Sequence, residues 1–307
     1  THDDFEGHAA LVALNHAEPA VAEYVEQAMS YWLDRGADGW RLDAAYAVPP
    51  SFWKPVLERV RARHPEAYVF GEVIHGDYAA IVEESGMDAV TQYELWKAVW
   101  SSLNDRNAWE LEHALRRHAE FTQAFAPQTF VGNHDVTRIA SRLTDPRHLD
   151  HALAVLLTVP GTPAIYAGDE HGFTGVKEER EGGDDAVRPP FPTSPAELSP
   201  VGLPVFHRHQ ELIGVRRRHP WLHRAELDVL AVSDPLLVYR VSAGEEALVV
   251  LLSTADDDVR WGLPAGVPRA GDGPAALNAG TATLADGGRT VVLPPHGWAV
   301  VGAAATS

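Results

Sequence analysis

Two hydrophobic rhythms take turns along the chain between Pro19 and Arg218, and this alternation restricts the fold more than any other property of the sequence. The first is helical. From Pro19 to Leu33 the apolar residues Val21, Tyr24, Val25, Ala28, Met29, Trp32 and Leu33 recur at the i, i+3, i+4 spacing of one helix face. Pro19 suits the first turn and Gly36 the stop. The second rhythm is a short apolar run ending in charge. Gly39 to Ala45 is such a run, ending in Asp43, and it predicts a buried strand. The pattern repeats: helix over 51–64, strand over 68–74, strand over 88–95, helices over 96–103 and 109–121, strand over 129–132, helix over 148–159, strand over 161–167. Strands separated by helices imply a parallel sheet. In a parallel barrel the functional groups sit at the carboxyl ends of the strands, where Asp43, Glu72, Asp135 and the Asp169-Glu170 pair fall.

Residues 174–200, rich in Gly, Pro and charge, read as a long loop over the barrel mouth, followed by an amphipathic helix over 205–218. After about Arg224 the texture changes. Runs at 227–232, 236–241, 247–252 and 290–293 look like strands separated by Gly, Asp and Pro turns, with no helical pattern between them. They predict a small antiparallel β domain. The expected division is 1–222 for the α/β part and 223–307 for the β domain.

Composition narrows the partners. With 307 residues, 45% of them hydrophobic, the chain can bury a large core and has room for two domains. A net charge of −18 repels a phosphate backbone, which excludes nucleic acid as a partner, and no apolar run approaches the roughly 18–20 residues of a membrane helix. A neutral sugar polymer is not repelled. There are no cysteines, so disulfides and thiol chemistry are excluded.

Three charged motifs stand out. Arg41 and Asp43 are two apart, so on a strand they share a face, and the guanidinium can keep the carboxylate ionised. A structural ion pair at a strand end is the bland alternative. Glu72 follows Phe70-Gly71 and precedes Val73-Ile74, an apolar surround that suits a carboxyl kept protonated for acid catalysis. Gly71 leaves room for a ligand at the backbone, and a capping or salt-bridging glutamate is the alternative. Asn133-His134-Asp135 places three polar residues after an apolar strand, for binding or for an Asx turn or helix cap. No histidine spacing typical of a metal site accompanies His134. Two aspartates, one glutamate, an arginine and a histidine are the equipment for cleaving a glycosidic bond with retention. Trp40, Tyr46, Phe70, Tyr93, Trp96 and Tyr166 fit sugar stacking, with core packing as the alternative.

In this order the motifs resemble those of the alpha-amylase superfamily, glycoside hydrolase family 13, from roughly Leu11 to Pro220. GWRLDAA, from Gly39, looks like its strand-four motif, which implies Asp43 as nucleophile and Arg41 as the residue orienting it. FGEVIHGD, from Phe70, looks like the strand-five motif and implies Glu72 as general acid/base. FVGNHD, from Phe130, looks like strand seven, implying Asp135 as transition-state stabiliser and His134 as a sugar-hydroxyl partner beside Asn133. GTPAIYAGDE, from Gly161, is similar to the strand-eight segment. The resemblance implies a (β/α)8 TIM-type barrel with a C-terminal antiparallel β-sandwich. It also implies a retaining hydrolase of α-glucans or maltooligosaccharides that needs no cofactor for its chemistry, in a family where structural calcium is common.

Details point to a subgroup. Tyr46-Ala47 stand where typical alpha-amylases carry Lys-His. Leu11–Asn15 is similar to the MPKLN motif of neopullulanases, cyclomaltodextrinases and maltogenic amylases, and His75 after the glutamate motif leans the same way. An enzyme for short or cyclic α-glucans is therefore expected, with Tyr46 and His75 among the substrate-binding residues and a homodimer as an option. Asn15-His16 is not the strand-three motif, because Leu11 stands at its aspartate position. The chain, which begins at Thr1 without a signal peptide, is thus expected to hold strands four to eight and to lack the first three. A cytoplasmic location is slightly favoured over secretion. The competing functions are α-glucan transglycosylation, a non-catalytic carbohydrate-binding remnant of the fold and, more distantly, a metal-dependent hydrolase.

Overall fold

The computed structural model describes residues 3–5, 7–264 and 275–303; stretches 265–274 and 304–307 of the expected β domain fall outside the described residues. Two compact units divide the chain, Thr1–Thr91 and Gln92–Ser307. No described helix is long and apolar enough to cross a membrane.

The first unit opens with an antiparallel pair, β1 (Asp4–Phe5) and β2 (His8–Val12). Helix α1 (Pro19–Leu33) follows, with Pro19 at its first position and the Glu18 side chain accepting from the Ala20 amide. Strand β3 (Gly39–Leu42), α2 (Pro50–Arg63), β4 (Tyr68–Gly71), α3 (Tyr78–Ser85) and β5 (Ala89–Val90) complete it. Strands β3, β4 and β5 form one parallel sheet in that order. Helix α2 packs through Phe52, Trp53, Val56, Leu57 and Val60, all buried. Helix α3 is too short for its period to show in the sequence, but Asp77 caps it by accepting from the Ala80 amide.

The strand expected over 88–95 contracts to Ala89–Val90. Gln92 ends it by capping α4 (Tyr93–Asp105) through the Leu95 amide, and α4 then turns Leu95, Ala98, Val99 and Leu103 inward. The second unit continues with α5 (Ala108–Phe121), β6 (Gln128–Phe130), α6 (Ile139–Arg142), α7 (Leu149–Thr158), β7 (Thr162–Ala164) and α8 (Leu203–Arg218). Strands β6 and β7 pair in parallel. The five parallel strands thus lie in a three-stranded and a two-stranded sheet, and no closed ring of strands occurs among the described residues.

The rest of the second unit is antiparallel: β8 (Glu226–Ser233), β9 (Leu236–Ala243), β10 (Glu246–Ser253), β11 (Val259–Gly262), β12 (Ala275–Gly280), β13 (Thr283–Ala285), β14 (Thr290–Leu293) and β15 (Trp298–Ala303). They form a five-stranded sheet, β12-β15-β10-β9-β8, and a three-stranded sheet, β11-β14-β13. Alternation along β9 and β10 sends Leu237, Tyr239, Val241, Leu248, Val250 and Leu252 into one core with α4, α5, α7 and α8. Val238, Val249 and Leu251 face the other way, onto Val291 and Leu293 of the smaller sheet. A sheet buried on both faces needs a continuous apolar run, which Leu248–Leu252 supplies.

Candidate active site

The pairing of β3 with β4 places two acids side by side. Its register ends at Leu42 opposite Gly71, so Asp43 and Glu72 are the next residues on neighbouring parallel strands. The Glu72 amide donates to the Leu42 carbonyl at 2.8 Å, carrying the pairing one step beyond β3. Arg41 spans both acids: Nη1 lies 2.6 Å from Asp43 Oδ1 and Nη2 lies 2.9 Å from Glu72 Oε2. The environments differ sharply. The Asp43 side chain is 80% exposed and that of Glu72 is 9% exposed.

Backbone geometry holds Glu72 in place. Ala44 adopts a left-handed conformation (φ 43°), which a residue with a Cβ takes at a cost of order 1–3 kcal/mol. Its amide thereby donates to Glu72 Oε2 at 3.0 Å. The Tyr46 amide donates to the Glu72 carbonyl, and Thr91 exchanges hydrogen bonds with both the amide and the carbonyl of Val73. Two expectations change here. The surround of Glu72 is not only apolar, because Arg41 and the Ala44 amide reach its carboxyl group. Gly71 does not leave room for a ligand either. A Cβ there would stand 2.6 Å from Met87 Sδ and 2.9 Å from Ala45 Cβ, so packing inside the unit uses that space. The rings of Tyr46 and His75 approach to 5.9 Å, which groups these two residues beside the acid loop.

The other expected site residues belong to the second unit, just after β6. The Asn133 side chain serves two neighbours: Nδ2 donates to the Tyr93 hydroxyl at 2.9 Å, and Oδ1 accepts from the Asp135 amide at 2.9 Å. The second bond is an Asx turn, so the bland alternative for this tripeptide coexists with its half-buried acid. His134 Nε2 is 3.1 Å from Asp135 Oδ2. Arg188, from the long loop, donates Nη2 to Asp135 Oδ1 at 2.7 Å and Nε to the His134 carbonyl at 2.8 Å. Arg188 had no signal in the sequence, because 53 residues separate it from Asp135.

A buried ion pair lies behind this turn. Arg138 and Asp169, both 2% exposed, meet at 2.7 Å. Burial pushes the Asp169 carboxyl up to about 6, against the pull of the Arg138 guanidinium. Arg138 also lies over the Tyr166 ring at 4.3 Å and donates to the Ala167 carbonyl. Gly132 makes the arrangement possible, since a Cβ there would stand 2.5 Å from Asp169 Oδ2. Asp169 is therefore internal. Its signal was the Gly168-Asp169-Glu170 run, already noted at a strand end.

Three of the six aromatic residues that fit sugar stacking have packing partners inside the protein. Trp40 donates its indole N–H to the Met29 carbonyl, Tyr93 meets Phe130 edge-to-face at 4.8 Å, and Trp96 stacks on Phe130. Among the described residues one group has the donors for a metal ion, Asp145, His148 and His296. Two imidazoles in three ligands do not fit calcium, which takes six to eight oxygens.

The family model "Alpha amylase, catalytic domain" matches residues 5–189. A cyclomaltodextrinase of Geobacillus thermopakistaniensis is 28% identical over 273 residues, covering 86% of this chain and 45% of its own length. A cyclomaltodextrin glucanotransferase of Geobacillus stearothermophilus is 27% identical over 258 residues, covering 79% of this chain and 34% of its own. The chain thus spans less than half the length of these curated relatives. The debranching enzyme of Nostoc punctiforme, solved after an acarbose soak, superposes with a TM-score of 0.79 at 25% identity, covering 98% of this chain and 64% of that one.

Proposed function

Because this chain belongs to the alpha-amylase family, we propose that it supplies the catalytic carboxylates of a retaining α-glycoside hydrolase for short or cyclic α-glucans, maltooligosaccharides included. In this reading β3 to β7 correspond to strands four to eight of a (β/α)8 barrel, residues 1–222 form the catalytic part, and 223–307 form the C-terminal β domain.

The observation that carries the proposal is Arg41 bridging an exposed and a buried carboxyl group on adjacent parallel strands. Glu72 protonates the bridging oxygen while Asp43 attacks the anomeric carbon, giving a glycosyl ester on Asp43. Glu72, now a carboxylate, takes a proton from water, which attacks the same carbon and releases the sugar with its configuration retained. The reactive carboxyl groups of such an enzyme stand about 5–5.5 Å apart. Asp135 stabilises the positive charge that develops on the ring, and Arg41, Tyr46, His75, Asn133 and His134 hold sugar hydroxyls and faces. The similarity to a cyclomaltodextrin glucanotransferase supports transglycosylation as a second reading, with a sugar hydroxyl replacing water in the second step.

The test is intact mass after incubation with a 5-fluoro-α-glucosyl or maltosyl fluoride, followed by peptide mapping. A covalent sugar on Asp43, absent from Asp43→Asn, is the expected result. An adduct on another residue, or none on a folded chain that binds maltooligosaccharide, overturns the assignment.

A further inference from the structure

We infer that Asp145, His148 and His296 of the second unit form a binding site for a zinc-like divalent transition-metal ion, separate from the proposed glycosidase chemistry. His148 ends the turn Pro146–His148 that leads into α7, and Asp145 caps that turn. His296 lies 148 residues further on, between β14 and β15. One ligand atom from each of the three converges within 4.8 Å. His148 Nε2 lies 2.9 Å from His296 Nδ1, and His296 Nδ1 lies 3.9 Å from Asp145 Oδ2. A tetrahedral zinc with bonds near 2.1 Å holds its ligand atoms roughly 3.4 Å apart, between those two separations.

The surroundings favour the metal-binding form of His296. His296 Nε2 is 2.9 Å from Asp256 Oδ1. A carboxylate oxygen accepts only, so it fixes the ring proton on Nε2 and turns the Nδ1 lone pair toward His148 and Asp145. Carboxylate–histidine–metal chains are built this way. The His296 backbone is left-handed (φ 53°) and its amide is tied to the Ala255 carbonyl, so the ring is set by a strained, anchored loop. His148 is 1% exposed, and with His296 Nδ1 as the acceptor its Nε2 carries the ring proton, which the bound ion would displace. The next histidine, His151, does not compete, because its Nε2 is 3.0 Å from the Ser253 carbonyl. Nitrogen-rich donors select zinc and its neighbours over magnesium or calcium.

Charge sets the affinity. Asp145 is held by Arg147, whose Nη2 lies 2.6 Å from Oδ2, and Asp256 is held by Arg106. For Asp145 to take the ion, the Arg147 side chain must turn away. It is 59% exposed and can do so into solvent. The bound ion would join the start of α7 to the β14–β15 loop.

The purified chain, stripped with chelator, is titrated with Zn²⁺ by calorimetry, and the visible spectrum is recorded with Co²⁺. The expected result is one tight equivalent with a tetrahedral Co²⁺ spectrum. Both are lost in the His148→Gln/His296→Gln double variant, while weaker sites among the other histidines remain. Asp145→Asn changes a half-buried carboxylate and keeps a side-chain oxygen for the turn it caps, Asp256→Asn changes an exposed one, and both are expected to fold normally. The second should weaken binding about 10–100-fold, the usual cost of a lost outer-shell partner. Arg147→Ala should tighten binding severalfold, which a hydrogen-bonded histidine pair without a metal role would not produce. Equal Zn²⁺ binding by wild type and the double variant overturns the inference, as does an Arg147→Ala chain with unchanged or weaker affinity.

Discussion

The units Thr1–Thr91 and Gln92–Ser307 bury different kinds of charge. Among the described residues of the first, Glu72 is the one Asp, Glu, His, Lys or Arg side chain in the buried class. The second buries His118, Arg138, His148, His151, Asp169, His209 and His296. Several of these bind elements to one another. His118 reaches the Pro160 carbonyl, His151 the Ser253 carbonyl, and Arg138 pairs with Asp169. Glu72 differs because it sits at a strand end beside the exposed Asp43, with Arg41 on both. A buried charge that fastens one element to another serves stability. A buried acid paired with an exposed one at the end of a parallel sheet has no such fastening role, and it is there that the proposal puts the chemistry.

The sharpest way to break this comparison is Glu72→Gln. Losing a general acid lowers turnover of sugars with poor leaving groups by about 10²–10⁴-fold. Glycosyl fluorides need little protonation and should keep most of their first-step rate. Equal losses on both substrates, measured by steady-state kinetics, would make Glu72 a structural charge like those of the second unit.

Next in size is Leu156→Ala, in the core that α7 shares with β9, β10 and β15. A truncation of this kind costs about 2–5 kcal/mol. Hydrogen exchange should rise in the helices and in the five-stranded sheet together. A rise confined to the helices would favour a domain boundary near residue 222.

Acid should weaken the second unit. Burial lowers both His118 and His151 to about 4. The unfolded chain binds protons near pH 6.5 while the folded unit does not, so this stability is complete above pH 6.5 and is lost as pH falls toward 4. The shift corresponds to on the order of 3 kcal/mol per histidine by pH 4. Denaturant midpoints between pH 7 and 4.5 should fall, and His151→Asn should flatten the fall. An unchanged slope in that variant would remove His151 from the account.

The smallest effect belongs to the first unit. Gly71→Ala forces a methyl group against Met87 and Ala45 and should cost about 1–3 kcal/mol. Faster exchange should be confined to residues 39–91. A neutral result would show that the space beside Gly71 is not needed for packing.

Much of this was legible one residue at a time. Helix α1 has the bounds that its apolar stripe predicts, and α5, α7 and α8 begin or end within two residues of theirs. The strand-end acids could be read because each follows a short apolar run. Strands β11, β12, β13 and β15 could not, since they are short or rich in Ala and Gly, and only pairing with neighbours defines them. The Asx turn at Asn133 was foreseen as an alternative, but its partner Tyr93 was not.

By itself the sequence determined whatever depends on near neighbours: helical and strand periods, caps, and Arg41 beside Asp43. Only the tertiary structure decided which distant groups meet. The β3–β4 register set Glu72 beside Asp43, the loop brought Arg188 to Asp135, and the chain returned His296 to His148. The reason is physical. Local periodicity is written in backbone geometry over a few residues, whereas a contact across 148 residues is chosen by the packing of the whole unit.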